Sequence, residues 1–312
     1  MNRNPLVSVV LPAYNAQNTI GEAIQSIIDQ TYSNWELLII NDGSKDDTKL
    51  SILSFKDPRI KYIENDENKK LIYTLNRGLS LSTGDYIARM DADDIAWPTR
   101  LEQQVAFMES HLDVIVCGSW VKTFGDGVKS REKKTFEFDA EIRENYLLTS
   151  PIAHPTAFIR RSCLVESGIQ YDQEFKDAED YKMWLDLMDY GKFHNIQECL
   201  LNYRISKTQV SQDNNPVQLE STRKCRDAYL MKYLDPLLYN FYKDNGVSVS
   251  LFKQYKKSQW NYGVLQAFYY SMNPYDLHVF LYYVYSRDFF HFGILDSIRL
   301  IKRFLGKRAS IL

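Results

Sequence analysis

Over its first 120 residues the chain switches repeatedly between two hydrophobic periods, and this alternation constrains its fold most tightly. Short β-branched runs at 7–11, 35–40, 60–63, 86–90 and 114–119 predict strands. Between them, residues 19–30 carry Ile20, Ala23, Ile24, Ile27 and Ile28 on one helical face. Further helices are predicted from Asp46 or Asp47, either of which can act as the cap, to about 55, over 70–81, and over 98–110 with Pro98 at the start. Strands separated by helices imply β-α-β units and an α/β fold with a mostly parallel sheet.

Beyond residue 120 the signals are mixed. A strand, loop and helix are expected over 121–150, a short strand at 157–160, and a helix at 180–190 with Met183, Trp184, Leu187 and Met188 on one face. From about 218 strand signals fade and aromatic residues rise. The boundary is set near Asn214-Asn215-Pro216, dividing 1–215 from a helical, aromatic-rich region over 216–312.

The net charge is -2, so nucleic acid is not an expected partner. Cys117, Cys163, Cys199 and Cys225 form no C-x-x-C pair, which argues against a zinc site or a disulfide framework and for reduced thiols. The apolar run near the start is too short for a signal-peptide core. No stretch of about 20 apolar residues suggests a spanning helix, so a cytoplasmic location is expected.

Three segments carry candidate chemistry. Met90-Asp91-Ala92-Asp93-Asp94 follows a predicted strand, on the edge where open α/β sheets bind ligands. Extended backbone would turn Asp91 and Asp93 the same way, a pair suited to a hard divalent cation, although an acidic helix cap gives the same pattern. Leu11-Pro12-Ala13-Tyr14-Asn15 and Asn41-Asp42-Gly43-Ser44 follow the first two strands on that edge. Tyr14 offers a stacking face for a base, and Asp42 an acceptor for a base N–H or ribose hydroxyl. Ordinary turn chemistry accounts for either loop alone, and neither is a glycine-rich dinucleotide fingerprint. Glu179 and Asp180 open a helix, where the dipole favours acids; Asp180 could also serve as a general base.

Taken in order, several segments resemble glycosyltransferase family 2: residues 7–15, 40–44, Leu75-Asn76-Arg77-Gly78, 84–94, 100–104, His154-Pro155-Thr156, Glu179-Asp180-Tyr181 and Tyr203-Arg204. The similarity covers about 5–211 and is closest to bacterial enzymes that build O-antigen, capsule and other surface polysaccharides. It implies a GT-A nucleotide-diphospho-sugar transferase fold with a helical C-terminal extension, binding the nucleotide sugar over about 1–120 and the acceptor over about 121–215. It implies inverting transfer from a nucleotide sugar, with UDP favoured, to a glycan or a polyprenyl-diphosphate-linked acceptor, with Mn²⁺ or Mg²⁺ as cofactor. Pro12, Ala13, Tyr14 and Asn15 would line the nucleotide pocket and Asp42 would bind the base. Asn76 and Arg77 would approach the sugar or diphosphate, and Asp91 and Ala92 the ribose. Asp93 would be the principal metal ligand, with Asp91 beside it, and Asp180 the catalytic base. Glu179, His154 and Arg204 would position acceptor or donor. Many relatives have His two residues after the Tyr-Arg pair; here Ser206 stands there, leaving Arg204 or Lys207 to supply positive charge.

Residues 294–308 form a candidate basic amphipathic helix, suited either to an anionic membrane surface or to packing on the protein. Two rival functions are a non-catalytic sugar- or nucleotide-binding protein and an Asp-nucleophile phosphohydrolase. The hydrolase motif wants Thr or Val two residues after its second Asp, where this chain has Ile95.

Overall fold

The computed structural model describes residues 4–146, 149–205 and 215–233. The aromatic-rich stretch 260–292, the candidate basic helix 294–308, Ser206 and Lys207 lie outside the described residues. The elements that form the sheet all belong to one compact unit, Met1–Arg143 with Ser150–Cys225.

Strand β1 (Val7–Ala13) and strand β2 (Trp35–Asn41) are buried at all seven positions. Burial on both faces is why they read as continuous apolar runs and not as in-out alternation. Helix α1 (Ile20–Ile28) turns Ile20, Ala23, Ile24 and Ile27 into the core. Helix α2 (Thr48–Leu53) starts where Asp46 Oδ1 accepts the Thr48 backbone N–H at 3.1 Å. Strand β3 (Ile60–Glu64), helix α3 (Leu71–Leu81) and strand β4 (Tyr86–Arg89) complete the first half.

Next come β5 (Ile95–Ala96), α4 (Arg100–Ser110), β6 (Val114–Phe124), β7 (Glu132–Lys133) and α5 (Asp139–Glu144). A short 3-10 turn, His154–Thr156, precedes β8 (Phe158–Arg160) and α6 (Arg161–Ser167). Helix α7 (Glu179–Leu187), strand β9 (Lys192–Arg204) and helix α8 (Pro216–Tyr233) follow.

Among the described residues one sheet runs β3-β2-β1-β4-β8-β6-β9-β5, with β7 paired to β6. β3, β2, β1 and β4 are mutually parallel, as expected. The other half is mixed: β8 is antiparallel to β4 and β6, β5 antiparallel to β9, and β6 parallel to β9. The chain steps outward from β1 to β2 and β3, then returns to place β4 on the other side of β1. The crevice outside the carboxyl ends of β1 and β4 is therefore a topological switch point, where such sheets bind ligands.

The sequence pattern gives no sign of β9. Asn195, Gln197, Glu198 and Asn202 interrupt its apolar positions, and its pairing with β6 shifts register between Ser119 and Val121. This strand carries Tyr203 and Arg204 to the switch point.

Candidate active site

A cleft of about 730 Å³ opens at this sheet edge. Pro12 lines it from the end of β1, with Tyr14 and Asn15 just after; Asp91, Ala92 and Asp93 line it after β4; and His154, Glu179, Asp180 and Arg204 from the second half. Ala13, Asp42, Asn76 and Arg77 are not among its lining residues.

The loop after β1 is stitched to the loop after β2. Asn15, in the left-handed region at φ 48°, donates its N–H to Ser44 Oγ at 3.0 Å and accepts the Lys45 N–H at 2.9 Å. The Ala16 N–H reaches Thr48 Oγ1 at 2.7 Å. These bonds leave the Tyr14 ring 47% exposed at the cleft, free to stack. Buried Asp42 accepts three hydrogen bonds, from Asn65 Nδ2 and the backbone N–H groups of Lys69 and Lys70, at 2.7–2.9 Å. It anchors the turn into α3. Asn76 exchanges two hydrogen bonds of 2.9 Å with the backbone of Tyr171, and Arg77 donates to the Glu64 carbonyl and to Asn65.

Asp91–Asp94 forms a turn instead of the extended run expected. Arg204 imposes it: its backbone N–H donates to Asp94 Oδ1 at 2.8 Å and its Nε to the Asp93 carbonyl at 2.7 Å. One carboxylate oxygen from each of Asp91, Asp93 and Asp94 lies within 4.8 Å of the others. Buried Arg89 grips both oxygens of Asp91 at 2.5 Å. Asp94 Oδ2 is buried without a hydrogen-bond partner. Burial, then the Asp91 charge, pushes Asp93 up to about 6 and Asp94 well above the ordinary carboxylate range. Three carboxylates converging on one point, with a buried oxygen of Asp94 left unpartnered beside them, are a set that a hard divalent cation would satisfy.

Helix α7 brings its acids to the opposite rim. Asp177, in the left-handed region at φ 63°, turns the chain so that Glu179 and Asp180 begin the helix facing the cleft. Fully buried Trp184, edge-on to His154 and Phe193, fixes the helix behind them. Burial and Asp180 raise Glu179 to about 7, and burial also raises Asp180. His154 Nε2 shares a 2.9 Å hydrogen bond with the Tyr171 hydroxyl. Burial, then Arg89, holds the His154 pKa well below its ordinary value, so the imidazole is neutral.

The motifs quoted from the sequence leave out Asp177, Lys133 and Gln218, which also line the cleft. Asp177 and Gln218 carry no local signature, and Lys133 sits in a charged run, Glu132-Lys133-Lys134, that reads as a solvated edge.

A GT-A fold with an acid-lined cleft at its switch point defines a transferase of nucleotide-activated sugars. The chain belongs to glycosyl transferase family 2, whose family model matches residues 8–167. An uncharacterized glycosyltransferase of Haemophilus influenzae is 33% identical to it, covering 98% of each chain. The Escherichia coli enzyme named UDP-Glc:alpha-D-GlcNAc-diphosphoundecaprenol beta-1,3-glucosyltransferase WfgD is 32% identical, covering 67% of this chain and 79% of its own. The crystal structure of S. aureus TarS 1-349 with UDP-GlcNAc shares the fold at a TM-score of 0.62 and 18% identity, over 84% of this chain and 79% of that one. The protein is a glycosyltransferase, which sets aside the phosphohydrolase and non-catalytic readings.

Proposed function

We propose that the enzyme moves a hexosyl group from a UDP-sugar, with inversion, onto a hydroxyl of a glycan or polyprenyl-diphosphate-linked glycan in bacterial surface-polysaccharide synthesis. The observation that carries this reading is one cleft lined by Pro12, Tyr14 and Asn15, by Asp91 and Asp93, and by Asp180. The lipid-linked acceptor and the UDP donor draw support from the name of the E. coli relative, which includes both. An acceptor of that kind brings the enzyme to a membrane surface; no helix among the described residues is long and apolar enough to cross one.

In this reading residues 1–120 bind the donor and 121–215 form the acceptor side, and the C-terminal region begins with helix α8. Tyr14 stacks on the base, while Pro12, Ala13 and Asn15 shape its pocket. Asp42 Oδ2 accepts one bond, so a lone pair remains for a base N–H. Asn76 and Arg77 support the sugar side through the 171 and 64–65 segments they hold, and Ala92 borders the ribose.

Asp93, with Asp91 beside it, would hold Mg²⁺ or Mn²⁺, a Lewis acid for the charge gathering on the departing diphosphate. Asp180 takes the proton of the acceptor hydroxyl as that oxygen attacks the anomeric carbon. An alcohol is far too weak an acid to ionise beforehand, so base and attack act together. Glu179 tunes that base, neutral His154 orients the acceptor, and Arg204 holds the Asp93–Asp94 turn.

The test is a panel of nucleotide sugars with a glycosyl-diphosphate-lipid acceptor, scored by nucleotide release. Asp180→Asn should lower kcat by about 10²- to 10⁴-fold while leaving donor affinity intact. Turnover near that of the unaltered enzyme would remove Asp180 as the base.

A further inference from the structure

Three cationic side chains line the cleft among the described residues: Arg89, Arg204 and Lys133. Arg89 is buried and spent on Asp91. Arg204 is spent on the Asp93 carbonyl and the Glu22 carboxylate. Lys133 differs from both. It is exposed and makes no ion pair with a described residue; its ammonium approaches the ring of Tyr203 at 5.3 Å, a cation–π contact.

The local register explains why this lysine alone turns inward. In β7 it stands directly opposite Val121 of β6, and opposed residues share a sheet face. Val121 lines the cleft, and so does Tyr203. Strand alternation sends the neighbours the other way: Glu132 and Lys134 approach each other at 3.8 Å, and Lys134 covers the Trp120 ring at 4.3 Å. The apparent charge run is thus two residues committed to each other and one ammonium committed to the cleft wall.

We propose that Lys133 is a diphosphate-binding residue of this cleft, its ammonium meeting the phosphate oxygens of the nucleotide donor or of a lipid-diphosphate acceptor. This rests on the glycosyltransfer reading above. Five carboxylates, those of Asp91, Asp93, Asp177, Glu179 and Asp180, line the same space. A polyanionic ligand entering it needs positive charge from a group that gives up no existing ion pair, and Lys133 meets that condition. The Tyr203 ring holds the ammonium at the rim without consuming its charge.

The test is calorimetric binding of UDP and of farnesyl diphosphate, with uridine followed by saturation-transfer NMR as the phosphate-free control. Lys133→Ala should weaken UDP, farnesyl diphosphate or both by about tenfold, leave uridine unchanged, and bind with less salt dependence. Lys133→Arg should recover most of the loss. Loss for UDP alone assigns the residue to the donor, and loss for the prenyl diphosphate alone assigns it to the acceptor. Unaltered binding of both diphosphates, or an equal loss for uridine, overturns the inference. If the unaltered enzyme binds no nucleotide or prenyl diphosphate, the inference falls together with the glycosyltransfer reading beneath it.

Discussion

Glu179 and Asp180 are neighbours asked to do different things. Glu179 is 6% exposed, and burial together with the Asp180 charge raises its pKa from 4.5 to about 7. Below pH 4.5 it is protonated in folded and unfolded chains alike. Between pH 4.5 and about 7 only the unfolded chain readily ionises, so stability falls as pH rises through that window, and the penalty is complete above it. Glu179→Gln keeps the shape and removes the charge. It should therefore stabilise the fold at pH 8, by on the order of 2 kcal/mol, and have no such effect at pH 4. A melting-temperature gap that stays constant across this range would rule out a buried charge at 179.

Helices and strands reach their positions through a few close approaches. A Cβ on Gly78 would come within 2.4 Å of Val10 Cγ1 and 3.2 Å of Ile40 Cδ1, so only glycine lets α3 lie this near β1 and β2. Gly78→Ala should cost about 1–3 kcal/mol in urea unfolding by overpacking that interface. A change within about 0.5 kcal/mol would mean that the helix shifts freely. Helix α7 depends on a different contact. Asn215 Nδ2 donates to Asp177 Oδ2 and Gln218 Nε2 to the Asp177 carbonyl, each at 3.0 Å. Asn215→Ala should loosen the turn at Asp177 and lower kcat severalfold without changing donor affinity. An equal loss of donor affinity in a titration would show instead that the contact supports the whole cleft.

These elements were unequally readable in the sequence. The buried parallel strands announce themselves because both faces demand apolar side chains, and α1 because its buried stripe keeps the helical period. β9 does not, because its polar residues serve partners far along the chain; Asn195 Nδ2, for example, donates to the Phe136 and Pro151 carbonyls. The acidic motif was readable as a cluster but not as a turn, since the group that bends it, Arg204, lies 110 residues further on. Lys133 was hidden for a related reason: its direction is set by pairing with Val121, and pairing is not written in a run of charges.

The molecule joins two halves of one sheet with different tasks. The parallel half supplies the loops assigned to the base and the acids assigned to the metal. The mixed half supplies Asp180, on a helix that follows β8. With the base on a separate element from the leaving-group acids, the acceptor oxygen can be activated independently of the diphosphate. If Asp180 is the base proposed above, a single displacement would suffice, with no protein nucleophile, and would invert the anomeric configuration. An α-linked donor should therefore give a β-linked product, seen in the anomeric proton coupling of the isolated glycan. A retained configuration would demand a second displacement and dismiss Asp180 as a simple base. Metal removal separates the halves further. Chelation should abolish transfer, and added Mn²⁺ or Mg²⁺ should restore it. Asp93→Ala should weaken Mn²⁺ binding measured by electron paramagnetic resonance, whereas Asp180→Asn should leave that binding unchanged. If both variants lost the ion equally, Asp180 would belong to the metal's ligands, and the assignment of a free base on α7 would fail.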